Sequence, residues 1–423
     1  MERMPLPEQV GRWGSAEEFT KQRIESGQWV FWEDRVEQVL AGDYHAVVPL
    51  HIEVSPTYLC NFACPWCSSR SAREDWAEED VFNHPKATPL TVMRQPRLES
   101  VVDHLAEHGI EIMWVGGEPT MNPLLYPAVS RAAEQGLAQC LFTNGSLFKP
   151  EQAELLFNSG MAFIRVSLNA VTPEVHRKHH DYDQRKPYAD RVLRNLEMLS
   201  RIRHERRSET MLAVSIVVDR NNVGDLRNTL TYLAELCRKG SACTIDYVMV
   251  RPAFPLNGAH IEVDSETVEQ FFAETAASSA GISALKSAGI DLVIPESSVG
   301  GAIEVRQDNL GCLAAGWFGE VTPSGDMLPC SDLYGDPEYF IGNIGEQSIE
   351  QIWGSAQRSD VLERVRTNHC VSKRCPANGR GHHLNRVFRE VERYRDSGNQ
   401  AAVRDWITGL RTVLPAPKHS FFL

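Results

Sequence analysis

The chain has 423 residues, 42% of them hydrophobic and 23% charged, enough for one large domain with a smaller companion and ordinary for a globular fold. Its net charge of −13 argues against broad nucleic-acid binding, which needs a basic face, and no run approaches the roughly 20 apolar residues of a membrane span. The opening MERMPLPEQVGRWGSAEEFT lacks the basic-then-apolar pattern of a signal peptide, so a cytoplasmic protein is expected, with neither membrane nor nucleic acid as partner. In that compartment its ten cysteines read as metal ligands, catalytic thiols or core residues rather than disulfides.

Residues 1–48 form an N-terminal extension. From residue 49 to 260 one rhythm repeats, a short apolar run, a turn and an amphipathic stretch. The runs are LHIEV (50–54), IEIMWVG (110–116), AQCLFTN (138–144), FIRVSLN (163–169), LAVSIVV (212–218) and IDYVMV (245–250). Between them RLESVVDHLAEHG and VGDLRNTLTYLAELCRKG place apolar residues at steps of three and four, the period of a helix. Gly109, Gly136, Gly160 and Gly240 stand where helix C-caps belong. Strands alternating with helices imply a parallel sheet with right-handed crossovers. Eight units would close a barrel, so six predict a partial (β/α)6 TIM barrel, an α/β fold. Residues 68–96 are polar, dotted with proline and long for a connection, which suggests a functional or disordered loop. Residues 261–305 read as a connecting helix (265–288) and a linker. Residues 306–380 read as a small α+β unit with a hairpin in FGEVTPSGDMLPC, and 381–423 as a helical segment whose stripe of Leu384, Val387, Phe388, Val391 and Tyr394 is plain packing.

The first chemistry lies in CNFACPWC, where Cys60, Cys64 and Cys67 follow the first strand, on the face where barrel active sites gather. Thiolates suit zinc or iron–sulfur clusters. A structural zinc site is closed by four ligands. No fourth Cys or His lies within the next ten residues, so either one coordination position stays open or a distant ligand completes a zinc knuckle. The spacing C-x3-C-x2-C, with the aromatic Trp66 before the last cysteine, resembles the radical S-adenosylmethionine (radical SAM) superfamily. That resemblance implies a 4Fe–4S cluster on Cys60, Cys64 and Cys67, its open iron chelated by SAM, and cleavage of SAM to a 5′-deoxyadenosyl radical. It carries further motifs over. Gly116, Gly117, Glu118 and Pro119 resemble the second-strand GGEP, where backbone and carboxylate receive the SAM ammonium. Thr143 and Asn144 resemble the third-strand motif, Ser167 and Asn169 the fourth, reaching the SAM ribose or carboxylate, and Val217 in SIVV would pack on adenine.

A second set, Cys312, Cys330, Cys370 and Cys375, opens as C-x12-G-x4-C around Gly325 and continues into FIGNIGEQSIEQIW. This resembles the SPASM and twitch domains appended to many radical SAM enzymes. Full SPASM domains hold two auxiliary clusters, whereas four cysteines suit one auxiliary 4Fe–4S cluster or, equally by count, a four-cysteine zinc site. The closing pair is spaced C-x4-C where twitch proteins have C-x2-C. Cys140, Cys237 and Cys243 sit in strand or helix patterns as buried apolar residues.

An auxiliary cluster with all its ligands from protein serves as an electron conduit. The resemblance extends to aminocyclitol dehydrogenases of antibiotic pathways, which implies oxidation of a small polar substrate, an amino sugar or aminocyclitol, with a one-electron donor such as flavodoxin or ferredoxin. Sugar dehydration or epimerisation and peptide modification are the alternatives. Some fifty residues before the first strand disfavour a fused leader-peptide-binding domain. Arg251, after the sixth run, points to the barrel mouth and would bind or orient a substrate oxygen, unless it is a surface ion-pair arginine. His382 and His383 read as helix-start residues or as site-lining ones. A zinc-stabilised binding protein on a barrel scaffold is the remaining class.

Overall fold

A computed structural model describes residues 28–67, 91–183, 185–238, 244–253, 263–294, 311–330, 333, 337–367, 380–414 and 416–421. After α1 (Glu33–Ala41) come β1 (His51–Val54), α2 (Gln95–Glu107), β2 (Glu111–Trp114), α3 (Leu125–Glu134), β3 (Gln139–Thr143), α4 (Pro150–Asn158) and β4 (Phe163–Ser167). Then follow α5 (Pro173–His180), α6 (Tyr188–Arg206), β5 (Met211–Val218), α7 (Leu226–Arg238) and β6 (Tyr247–Pro252). The six strands lie in chain order, each parallel to the next. The partial barrel read from the six apolar runs is therefore present. Helix α2 forms as its pattern requires. Leu98, Val101, Val102 and Leu105 are buried, Pro96 stands in the first turn where no N–H is needed, and Gly109 closes the end at φ +62°.

Each strand faces two ways. Ile52, Val54, Ile112 and Trp114 join the main core under the helices, whereas Met113, Cys140 and Phe163 face the lumen. The register sets Phe142 beside Arg165, Arg165 beside Ala213 and Ala213 beside Tyr247, so one lumen layer can be read across the sheet. The floor is closed by the chain's own tail. Phe421 packs on Phe163, and Ser420 N–H donates to the Glu111 carboxylate at 2.5 Å.

Two expectations change. Residues 265–288 form two helices, α8 (Ser265–Thr275) and α9 (Ala280–Ser287), not one. The Ser279 hydroxyl donates to the Glu274 carbonyl and accepts from Ile282 N–H, so local capping overrides the helical period. The stretch read as linker also contains β7 (Asp291–Val293), parallel to β6. Three residues are too few to show a period of two, and pairing alone makes them a strand.

The expected hairpin is β8 (Glu320–Val321) and β9 (Asp326–Leu328), followed by β10 (Gly342–Asn343). Its turn needs Gly325 at φ +89°, where a Cβ would stand 2.9 Å from the Asn343 amide oxygen. Strand β8 pairs in parallel with β1, so the hairpin and β10 extend the barrel sheet to ten strands among the described residues. Helices α10 (Ile349–Trp353), α11 (Ala356–Thr367), α12 (Arg380–Asp396) and α13 (Gln400–Val413) complete the described chain. Trp29 meets Trp317 and Phe388 edge to face at 6.2 and 5.3 Å, and Leu384, Val391 and Trp406 join the same cluster. Residues 29–50, residues 313–317 and the terminal helices thus share a second core, and Leu384, Phe388 and Val391 are packing residues as read.

Candidate functional site

The motif residues gather at one end of the sheet, on the loops after β1 to β4 and at the ends of β5 and β6. The cysteine loop is clasped by its neighbours. Gly117 N–H donates to the Thr57 carbonyl and Glu118 N–H to the Leu59 carbonyl, each at 2.8 Å. A Cβ on Gly116, whose φ is +116°, would lie 2.5 Å from the Thr57 oxygen, and one on Gly117 2.3 Å from the Leu59 oxygen. The two glycines are there because the second-strand loop lies directly on the backbone that leads to Cys60. Pro119 opens a short 3-10 turn and is buried.

Glu118 ties the second- and third-strand loops together. Its Oε1 accepts from the Thr120 hydroxyl at 2.5 Å and the Thr143 hydroxyl at 2.7 Å, and its Oε2 accepts from Asn144 N–H at 2.6 Å. Burial pushes this carboxyl above the ordinary carboxylate range, opposed by the Asn144 N–H and by the Thr120 and Thr143 hydroxyls. With Thr120 N–H also on Oε1, the acceptor capacity left for a ligand is on Oε2. Asn144 turns its amide the other way, donating to Asn61 Oδ1 at 2.9 Å and lying 3.9 Å from Cys60 Sγ.

The fourth-strand loop holds the other side. Asn169 is fully buried at φ +59°. Its Oδ1 accepts from Val217 N–H at 2.7 Å, and its Nδ2 stands 3.3 Å from His180 Nε2. The amide expected against SAM is thus committed to β5 and to a histidine. His180 Nδ1 in turn stands 3.1 Å from Cys64 Sγ, and Ala63 N–H donates to the His180 carbonyl. Trp66 donates its indole N–H to the His179 carbonyl and tilts over that ring at 5.3 Å. Sequence reasoning missed this histidine face. His176, His179 and His180 are buried at helical spacing in PEVHRKHH, and that spacing in a polar helix was the available signal.

Burial, aided by the neighbouring His179, lowers the pKa of His176 to about 3. Its Nδ1 faces the Tyr182 hydroxyl, and its Nε2 has no partner among the described residues. Below pH 6.5 the unfolded chain binds a proton that the folded chain refuses until about pH 3. Stability is therefore expected to fall with acidification by about 1.4 kcal/mol per pH unit. Urea unfolding at pH 6.5 and 5 checks this, since His176→Phe should weaken the pH dependence by about 1.6 kcal/mol over that interval.

The lumen mouth carries charge. Glu53 and Glu320 are in register on β1 and β8, both buried, and Glu320 Oε1 accepts from the Ser55 hydroxyl at 2.8 Å and the Tyr58 hydroxyl at 3.2 Å. Opposite, Ser167 and Ser215 bring their hydroxyls to 3.3 Å, and Arg251 is paired with Val217. Arg251 lies within β6, not beyond it, because pairing with β5 continues to Pro252. Deeper, Arg165 holds the Tyr247 hydroxyl at 2.9 Å with its guanidinium over the Phe142 ring.

In the C-terminal unit, Cys312 N–H donates to the Val365 carbonyl, and Asn385 donates its amide to Cys312 Sγ at 3.3 Å while its oxygen accepts from Leu313 N–H. Cys330 follows β9. Cys370, Cys375 and Cys243 lie outside the described residues, as do the side chains of His382 and His383. N–H groups aimed at sulfur, Phe62 at Cys60 and Asn385 at Cys312, suit thiolates that ligate a cluster. Cys140 is fully buried as read, whereas Cys237 is only partly buried, packed at the core edge.

A partial parallel barrel whose first loop carries Cys60, Cys64 and Cys67, continued by a cysteine-bearing hairpin unit, defines a class. The family model described as the radical SAM superfamily matches residues 54–233, and that of the SPASM iron–sulfur cluster-binding domain matches residues 312–376. The chain thus carries a radical SAM domain followed by a SPASM domain, which implies SAM, a 4Fe–4S cluster and auxiliary iron–sulfur as cofactors. Among curated relatives it is similar to the AdoMet-dependent heme synthase of Methanosarcina barkeri, 23% identical over 75% of this chain and 84% of that one. It is also similar to the PqqA peptide cyclase of Ruegeria pomeroyi, 24% identical over 72% of this chain and 74% of that one. Among solved structures, Streptococcus suis SuiB bound to precursor peptide SuiA shares the fold, with TM-score 0.58 and 15% identity over 83% of this chain and 74% of that one. Among the described residues no helix is long and apolar enough to cross a membrane.

Proposed function

We propose that this protein is a radical SAM oxidoreductase acting on a small, polar, amine-bearing substrate such as an amino sugar or aminocyclitol, with the site cluster on Cys60, Cys64 and Cys67 and an auxiliary cluster on Cys312, Cys330, Cys370 and Cys375. When bound, the cofactors supply the reducing electron, the 5′-deoxyadenosyl radical that takes a hydrogen atom from substrate, and an acceptor for the second electron. The chain's residues aim and shield. The glycine pair and Glu118 tie the second- and third-strand loops to the cysteine loop where SAM would be held, Asn144 and Asn169 brace them, and Val217 offers an apolar surface. Arg251 orients a substrate oxygen and stays charged while doing so. The observation that carries the substrate class is the in-register pair Glu53 and Glu320, two buried carboxylates on the lumen side suited to an ammonium group. The heme synthase relative favours a small molecule. A peptide is the second reading, favoured by the peptide cyclase relative and by the peptide-bound SuiB fold.

Anaerobic incubation with SAM and reductant, read as 5′-deoxyadenosine by mass spectrometry, tests the reading. Substrate carrying deuterium at the oxidised carbon is expected to deliver it into 5′-deoxyadenosine. Turnover of a precursor peptide, with none of aminated polyols, would replace the first reading by the second.

A further inference from the structure

Three contacts join the cysteine loop to the barrel wall through one imidazole. Val217 N–H donates to Asn169 Oδ1 at 2.7 Å, Asn169 Nδ2 stands 3.3 Å from His180 Nε2, and His180 Nδ1 stands 3.1 Å from Cys64 Sγ. Because the backbone N–H occupies the oxygen of the amide, the –NH2 end must face the ring. Two neighbours of the ring pull opposite ways: the Leu168 carbonyl would take a proton from it, and the Asn169 –NH2 gives one to Nε2. Cys64 decides between them. A ligating cysteine is a thiolate, and a ring lone pair against that sulfur is repulsive, whereas an N–H there makes a charge-assisted hydrogen bond.

Resting on the assignment of Cys64 as a ligand, we propose that His180 is a positioning residue whose Nδ1–H donates to the Cys64 thiolate and raises the reduction potential of the site cluster. A hydrogen bond to a ligand sulfur stabilises the more negative, reduced state, which makes the electron needed for SAM cleavage easier to accept. The ring has little freedom to do otherwise. His180 is almost fully buried, its backbone carbonyl accepts from Ala63 N–H, and its ring packs at 4.8 Å on Phe62 and 4.3 Å on His176. Helix α5 ends here because Asp181 turns left-handed at φ +47°, which fixes where the imidazole is presented.

The test is the midpoint potential of the SAM-responsive electron paramagnetic resonance signal in reconstituted full-length protein, at one pH, for wild type, His180→Phe and His180→Asn. Phenylalanine keeps the ring and removes the donor, whereas asparagine keeps an N–H at the Nδ1 position. His180→Phe is expected to load the same iron and to shift the reduction equilibrium about tenfold towards the oxidised cluster, a fall of 59 mV for one electron. His180→Asn should stay within a factor of about three. An unchanged potential in His180→Phe, or an equal fall in both variants, overturns the proposal. Should His180→Phe fail to fold or load, pulsed resonance on wild type labelled with 15N-histidine decides. Nitrogen coupling to the SAM-responsive signal supports the hydrogen bond, and its absence overturns it. A missing SAM-responsive signal would instead overturn the cluster assignment itself, and this inference with it.

Discussion

Replacing Cys60, Cys64 and Cys67 together by alanine is expected to lower the iron content from about eight per chain to about four and to abolish 5′-deoxyadenosine formation. The remaining irons are those proposed for the cysteines from Cys312 onward, of which Cys312 and Cys330 stand beside α12 and the β8–β9 hairpin rather than on the loop after β1. The fold should survive. Only Cys64 of the three is counted in the buried core, and the loop's clasp runs through backbone groups of Thr57 and Leu59 that the substitutions leave in place. Iron analysis and circular dichroism of the anaerobically reconstituted proteins check both halves. A wild type with only about four irons, all lost in the variant, would mean that the C-terminal cysteines hold no cluster. The preference for oxidation over redox-neutral chemistry would go with it, since no second electron acceptor would remain.

Gly117→Ala is expected to remove the site cluster without touching a cysteine. The added Cβ would lie 2.3 Å from the Leu59 oxygen and 2.5 Å from the Tyr58 oxygen, and both are backbone atoms that no rotamer change can move aside. The two loops must separate, breaking the bonds from Gly117 and Glu118 N–H to Thr57 and Leu59. Overpacking of this kind costs about 1–3 kcal/mol, small against the whole fold and concentrated at the loop that positions Cys60. About four irons should be lost and SAM cleavage should fall by orders of magnitude. Gly160→Ala is the control. That glycine has φ +62° but open space around its Cβ position, so strain of about 1–2 kcal/mol is expected with the iron content unchanged. Equal iron in Gly117→Ala and wild type would remove the close approach as the reason for the glycine pair.

How much of this was legible in the chain follows from the range of the forces involved. The strand runs 50–54, 110–116, 138–144, 163–169, 212–218 and 245–250 were visible because burial on a period of two or three to four is written locally. So were the C-caps at Gly109, Gly136 and Gly160, which all have positive φ, since a left-handed turn is a property of one residue. The cysteine loop was visible for the same reason, three soft ligands standing within eight residues.

What needed the tertiary structure is what depends on partners far apart in the chain. Strand β7 exists through pairing with β6, and residues 291–293 alone carry no period. The pair Glu53 and Glu320 is separated by most of the chain and meets because β8 docks on β1. The histidine face was printed in PEVHRKHH, yet its neighbour Cys64 was fixed only when α5 folded back on the cysteine loop. By itself, then, the sequence determined the radical SAM barrel, its cluster motif and the appended SPASM unit, because these rest on local periodicity and short ligand spacing. Which side chains brace the thiolates, and which charges face the lumen, the tertiary structure alone decided, because hydrogen bonds of about 3 Å are made between strands and loops whose approach no local pattern encodes.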